Sequence, residues 1–251
     1  MGRQETLKLG IDCLFHPARY LSKKGYIFLI SHMRSYSSLL GHILGSHPEI
    51  KGYAENHQRY RNWLDFLRLR RATYLSCNSL EGRYIFDKLL HNYCAITDRI
   101  ILQKNIKIII SIREPEKTIK SIVRLFSEIE HSKYQSISDC VNYYCQRLAG
   151  IKKLVERIPG RYYFFKAERI INDTEKLLDE LEAFLDLETP LKSEYKTFKY
   201  TGQQGKGDPS EFISKGSVQK DRNSYENIEL SEEVLAPAIK IYNDTLNALQ
   251  G

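Results

Sequence analysis

The chain has 251 residues, 42% of them hydrophobic and 27% charged, with 38 Lys and Arg against 31 Asp and Glu for a formal charge of +7. That length suits one α/β domain with a substantial core, and the modest basic excess suits an anionic small ligand while falling short of what nucleic-acid binding demands. Five cysteines without a C-x-x-C pair indicate neither a disulfide framework nor a zinc site, and no apolar run approaches the ~20 residues that would span a bilayer, so a reduced, cytoplasmic protein with no transmembrane segment is expected.

Residues 1–24 are polar and mixed, ending in Lys23-Lys24, and read as a lead-in segment. Tyr26 to Ile30 is a short bulky run, too brief for a helix and rich in aromatic and β-branched residues, so it reads as a buried strand. Small hydroxyl residues around one cation follow, Ser31-His32-Met33-Arg34-Ser35-Tyr36-Ser37-Ser38, and then Leu39, Leu40, Ile43 and Leu44 recur at helical spacing. A loop that feeds a helix from the end of a buried strand gathers unpaired backbone N–H groups and the positive end of the helix dipole, so it favours an anion. Neither the Walker loop nor the dinucleotide fingerprint is present.

Pro48 ends that helix. Lys51 to Ala54 reads as a second strand with Glu55 at its end, and residues from His57 to about Leu75 as an arginine-laced helix. Arg83 to Phe86 is a third strand leading into Asp87-Lys88, Ile96 to Leu102 a helix, and Ile106 to Ile112 the most apolar strand, expected at the sheet centre. Arg113-Glu114-Pro115-Glu116 follows as a helix start, with proline at the first helical position and acids beside it. Helices are expected after Pro115, with Ile119, Ile122, Val123, Phe126 and Ile129 on one apolar face, and from Ser138 to Ile158, a strand over Tyr162 to Phe165, a helix through Leu187 and a last one from Ser231 to Leu249. Residues 188–228 form a long polar loop, and a loop of that length in a compact domain tends to serve function. Alternating strands and helices predict an α/β fold: a single domain over 1–251 with a central, mainly parallel sheet flanked by helices on both faces.

At this point the sequence resembles the sulfotransferases that use 3′-phosphoadenosine 5′-phosphosulfate (PAPS). Met33 to Leu40 is similar to their strand–loop–helix motif, although Tyr36 stands where those enzymes usually have glycine, so the loop either keeps ordinary angles or strains a tyrosine. Arg113, Pro115 and Ser121 reproduce the spacing of the second motif, and His47-Pro48-Glu49-Ile50 through Glu55 resembles the segment that carries the base in protein-tyrosine and related members. Asp87-Lys88 resembles their lysine-bearing strand, and Gly205-Lys206-Gly207 more weakly their nucleotide-closing segment.

The resemblance implies a P-loop NTPase-like sulfotransferase fold, PAPS as co-substrate, no metal, and in-line sulfuryl transfer to a hydroxyl or amine. Arg34, Ser35, Tyr36, Ser37 and Ser38 are then expected to hold the 5′-phosphosulfate, Arg113 and Ser121 the 3′-phosphate, and Lys206 and Gly207 to close over the nucleotide. Glu55 is the expected base with His57 as its rival, Lys88 assists the departing group, and His32 shapes the loop. The acceptor, a small molecule, glycan or lipid headgroup, is not written in the sequence. Two alternatives stand beside this reading: a P-loop nucleotide phosphotransferase, which would need the Walker lysine this loop lacks, and a non-catalytic nucleotide-binding relative, suggested by Tyr36.

Overall fold

The computed structural model describes residues 3–127, 134–203, 211–219 and 227–251. In chain order the elements are α1 (Arg3–Phe15), α2 (Pro17–Leu21), β1 (Gly25–Ile30), α3 (Ser37–Ser46), β2 (Ile50–Lys51), α4 (Trp63–Cys77), β3 (Tyr84–Leu89), α5 (Asp98–Ile101), β4 (Ile106–Ile112), α6 (Pro115–Phe126), α7 (Ile137–Val155), β5 (Tyr163–Lys166), α8 (Arg169–Asn172), α9 (Thr174–Leu185) and α10 (Glu232–Gln250), with a short 3₁₀ turn at Glu211–Lys215. Among the described residues the five strands form one parallel sheet in the order β2-β3-β1-β4-β5, which puts β1 at the centre rather than the more apolar β4.

Strand periodicity sorts the core into two layers, because alternate side chains leave a strand on opposite faces. Tyr26, Phe28 and Ile30 of β1 and the even-numbered isoleucines of β4 pack with Leu69 of α4, Ile100 and Ile101 of α5 and Ile151 of α7. Ile27, Leu29 and Ile109 face the other way, onto Leu40, Ile43 and Leu44 of α3 and onto Leu177, Leu181 and Leu185 of α9. Helices therefore cover both faces, as the alternation of elements requires. The connection leaving β1 runs through α3 toward β2, whereas the one leaving β4 runs through α6 and α7 toward β5. Adjacent strands whose connections diverge leave a crevice at their carboxyl ends, which is where open α/β sheets bind ligands.

The main departures from the sequence reading are four, each with a local reason. The lead-in segment is helical over α1 and α2; Leu7, Ile11, Leu14 and Phe15 remain exposed and Leu9 is buried, so no stripe facing the core announced that helix. β2 stops at Lys51 because Gly52, at φ 108°, turns the chain. α4 starts at Trp63 rather than His57, where Asn62 and Asp65 make a reciprocal capping box. Residues 57–62 are drawn aside by the bridge of Tyr60 to Ile96, and α5 begins beyond that bridge at Asp98.

Candidate active site

The loop between β1 and α3 is held open from below by its own polar groups. Ser31 Oγ donates to Ser111 O at 2.7 Å, and Ser35 Oγ donates to His32 O at 2.7 Å. His32 is wholly buried: its Nδ1 meets Met33 O at 2.8 Å, and its Nε2 accepts the Arg113 backbone N–H at 2.9 Å. Burial drives its pKa down to about 3, so the ring is a neutral brace between the two loops. The Ser35 hydroxyl is thus turned into the protein. Ser37 and Ser38 open α3, with Ser38 Oγ 3.3 Å from the Lys88 ammonium.

Tyr36 resolves the choice posed by its place in the motif. It precedes α3 at φ 58° and ψ 19°, in the left-handed region, and Arg34 also has φ 61°. Each such angle costs a non-glycine residue roughly 1–2 kcal/mol, and strain of this kind persists only where the surroundings over-determine it. Here the Arg113 guanidinium sits 4.4 Å from the centre of the Tyr36 ring, a cation–π contact that offsets part of the cost.

The two arginines meet at the β1–β4 crevice. Arg113, the residue after β4, is buried and donates through Nη1 to Arg34 O at 3.0 Å. Arg34 in turn donates through Nε to Ser121 Oγ at 2.8 Å, one turn and a half into α6. Arg34, Tyr36, Arg113 and Ser121 therefore form one cluster built from two strand ends and one helix face. Lys206 and Gly207 lie outside the described residues.

Glu55 lies on the β3 side of the same edge. It is buried, and burial lifts its pKa to about 7 against the opposing pull of Lys88 and Arg147. His57 Nδ1 stands 3.3 Å from Glu55 Oε1 and His91 Nε2 3.8 Å from it. His57 itself holds φ 51° and shares its Nδ1 with the Tyr93 hydroxyl at 3.1 Å. The His91 and Tyr93 rings stack at 4.9 Å, and Tyr143 lies 5.5 Å from His91. Lys88 is 1% exposed and lies between the two halves of the site, bonded to Ser38 and acting on Glu55. Its neighbour Asp87 points to the other face of β3, where it accepts from Asn56 Nδ2 at 2.9 Å and from the Tyr60 hydroxyl. That leash fixes the segment carrying Glu55.

Arg147 and His91 were missed by the sequence reading, and Tyr143 reads there as helix packing. Arg147 donates to Ser31 O at 2.7 Å, to Asn92 Oδ1 at 3.0 Å and to Leu89 O, so one buried guanidinium ties the carboxyl ends of β1 and β3 together. The signal available was a charge inside the apolar stripe Tyr144, Leu148, Ile151 of α7. Tyr143 donates to Leu90 O and accepts the Met33 N–H, both at 2.8 Å. His91 had no motif around it.

No family model matches the sequence, and neither does any curated protein. Solved structures do match the fold. A sulfotransferase domain from the curacin biosynthetic pathway superposes with TM-score 0.60 at 17% identity, covering 89% of this chain and 98% of that one. The sulfotransferase domain of a Synechococcus olefin synthase gives TM-score 0.61 at 19% identity over 90% of this chain and 96% of its own. A mouse sulfotransferase complexed with PAP gives 0.54 at 13% identity over 94% and 88%. The chain has the sulfotransferase fold.

Proposed function

Starting from that fold, we propose that the chain is a sulfotransferase that moves a sulfuryl group from PAPS to a hydroxyl or amine of a small molecule, glycan or lipid headgroup. The observation that carries the reading is the Arg34–Ser121–Arg113 cluster at the β1–β4 crevice, with a buried carboxylate on the same edge. Two cationic groups at neighbouring strand tips match an anion charged at both ends, and a carboxyl whose pKa is about 7 matches a base.

In this reading Arg34, the N-terminus of α3 and the Ser37 and Ser38 hydroxyls hold the 5′-phosphosulfate. Arg113 and Ser121 hold the 3′-phosphate, and Lys206 and Gly207 close over the nucleotide. Sulfuryl transfer is treated by analogy with phosphoryl transfer, a loose in-line displacement in which the protein supplies position and charge. Glu55 takes the proton from the acceptor oxygen or nitrogen as it attacks sulfur. The S–O bond to the phosphate breaks at the same time, and Lys88 with Arg34 stabilises the charge left on the bridging oxygen.

The test is calorimetric titration with PAP and with ATP–Mg²⁺, followed by labelled sulfate transfer to an acceptor panel. PAP should bind and ATP–Mg²⁺ should not compete. Arg113→Ala should weaken PAP about a hundredfold, the scale of a lost charge-assisted pair. Arg113→Lys should not restore binding, because an ammonium cannot both bridge to Arg34 O and lie over Tyr36. Equal binding of ATP–Mg²⁺ would return the phosphotransferase reading to first place.

A further inference from the structure

Glu55, His57 and His91 come from two separate loops, one after β2 and one after β3, and their side chains converge. Their donor atoms, one carboxylate oxygen and two imidazole nitrogens, all lie within 4.8 Å of one another. Two bonds of about 2.0–2.1 Å at a tetrahedral angle set their donor atoms roughly 3.3–3.4 Å apart. The separations of 3.3 Å from Glu55 Oε1 to His57 Nδ1 and 3.8 Å to His91 Nε2 are within a small side-chain adjustment of that value. Glu55 Oε1 is buried and accepts no hydrogen bond among the described residues, a costly state for a carboxylate oxygen.

We propose that these three side chains form a site for one first-row divalent ion, best matched by Zn²⁺, and that the filled site switches transfer off. The second half rests on the sulfotransferase reading, since an ion on Glu55 occupies the lone pair the base would use. Two nitrogens and one oxygen suit zinc and its neighbours, and they do not suit Ca²⁺ or Mg²⁺, which favour all-oxygen shells. Three protein ligands leave a fourth position for water, reached from the side of His57, whose side chain is 40% exposed. To bind, His57 Nδ1 gives up its contact with the Tyr93 hydroxyl. Lys88 and Arg147 act on the same carboxylate, and their repulsion keeps the ion exchangeable, as a reversible inhibitor requires.

The experiment uses the full chain, stripped with chelator, and titrates Zn²⁺ by calorimetry and Co²⁺ by visible absorption. One ion per chain is expected, with a cobalt ligand-field band and no thiolate-to-metal charge-transfer band. His57→Ala, at a partly exposed position, should weaken Zn²⁺ about tenfold or more, and the double variant with His91→Ala about a hundredfold, on the scale of disrupted metal shells. Retained PAP affinity and circular dichroism check that the variants fold. A wild-type chain that binds no Zn²⁺, a thiolate band, or His57→Ala binding as tightly as wild type would each overturn the site. Zinc binding of this kind by a chain that, stripped of metal, transfers no sulfate would leave the site standing and sink the enzyme reading; transfer by a chain that binds no zinc would do the reverse, and transfer undiminished by one equivalent of bound Zn²⁺ would overturn the switch.

Discussion

Two cations act on Glu55 and its pKa is still raised to about 7, because the cost of burying a carboxylate exceeds what Lys88 and Arg147 return. Below that value the carboxyl is protonated and cannot accept the acceptor's proton, so transfer should rise with pH, about tenfold per unit on the acid limb, and level off above about 7. Glu55→Gln should abolish that limb and cost about 10²–10⁴ in rate while changing PAP affinity less than about twofold, since its contacts are separate from the phosphate cluster. A flat pH profile for the wild type, or an active glutamine variant, would reassign the base to His57. Tyr36 allows a second test at this scale. Alanine keeps the left-handed penalty and loses the ring over Arg113, whereas glycine loses the ring and the penalty together. Tyr36→Gly should therefore unfold at higher urea than Tyr36→Ala, by about 1 kcal/mol. Equal stabilities would mean that the φ of 58° carries no strain.

At the scale of elements, the position of Glu55 depends on how closely α3 approaches the chain after β2. Gly41 and Gly45 lie one turn apart on α3, and a Cβ there would stand 2.7 Å from Tyr53 O and 2.6 Å from Gly52 O. The absence of side chains lets the helix lie against residues 52–53, two residues before Glu55. Gly45→Ala is expected to cost about 1–3 kcal/mol by overpacking and to lower transfer by displacing Glu55. Gly10→Ala in α1, where a Cβ would meet nothing within 4 Å, should instead stabilise the chain by about 0.5–1 kcal/mol. Thermal or urea unfolding of both variants checks the pair, and a shared sign would refute the contact argument. The expected helices around these elements were legible where one face was apolar, as in α6 and α9. The start slipped by six residues at α4 and by two at α5, because the Tyr60–Ile96 bridge is a contact between distant residues.

For the molecule as a whole, nucleotide binding in the crevice between β1 and β4, as proposed, would couple binding to folding. The 3′ and 5′ phosphates would be held by residues from two strand ends and two helices, an arrangement that exists only in the folded chain. PAP at a hundred times its Kd should then add about 2.7 kcal/mol to the unfolding free energy, and the gain should vanish in Arg113→Ala. A stabilisation that survives in that variant would place the nucleotide elsewhere.

The sequence by itself determined the α/β class and the approximate places of the strands, because those are written in local periodicity, whereas Arg34, Arg113 and Ser121 were picked out by the resemblance of their spacing to a family's motifs. Only the tertiary structure decided that Arg113 packs on Tyr36 and bonds Arg34 O, that Arg147 clamps β1 to β3, and that His57 and His91 converge on Glu55. Each of those joins residues brought together by strand order and crossover direction, and no window of neighbouring residues contains such information.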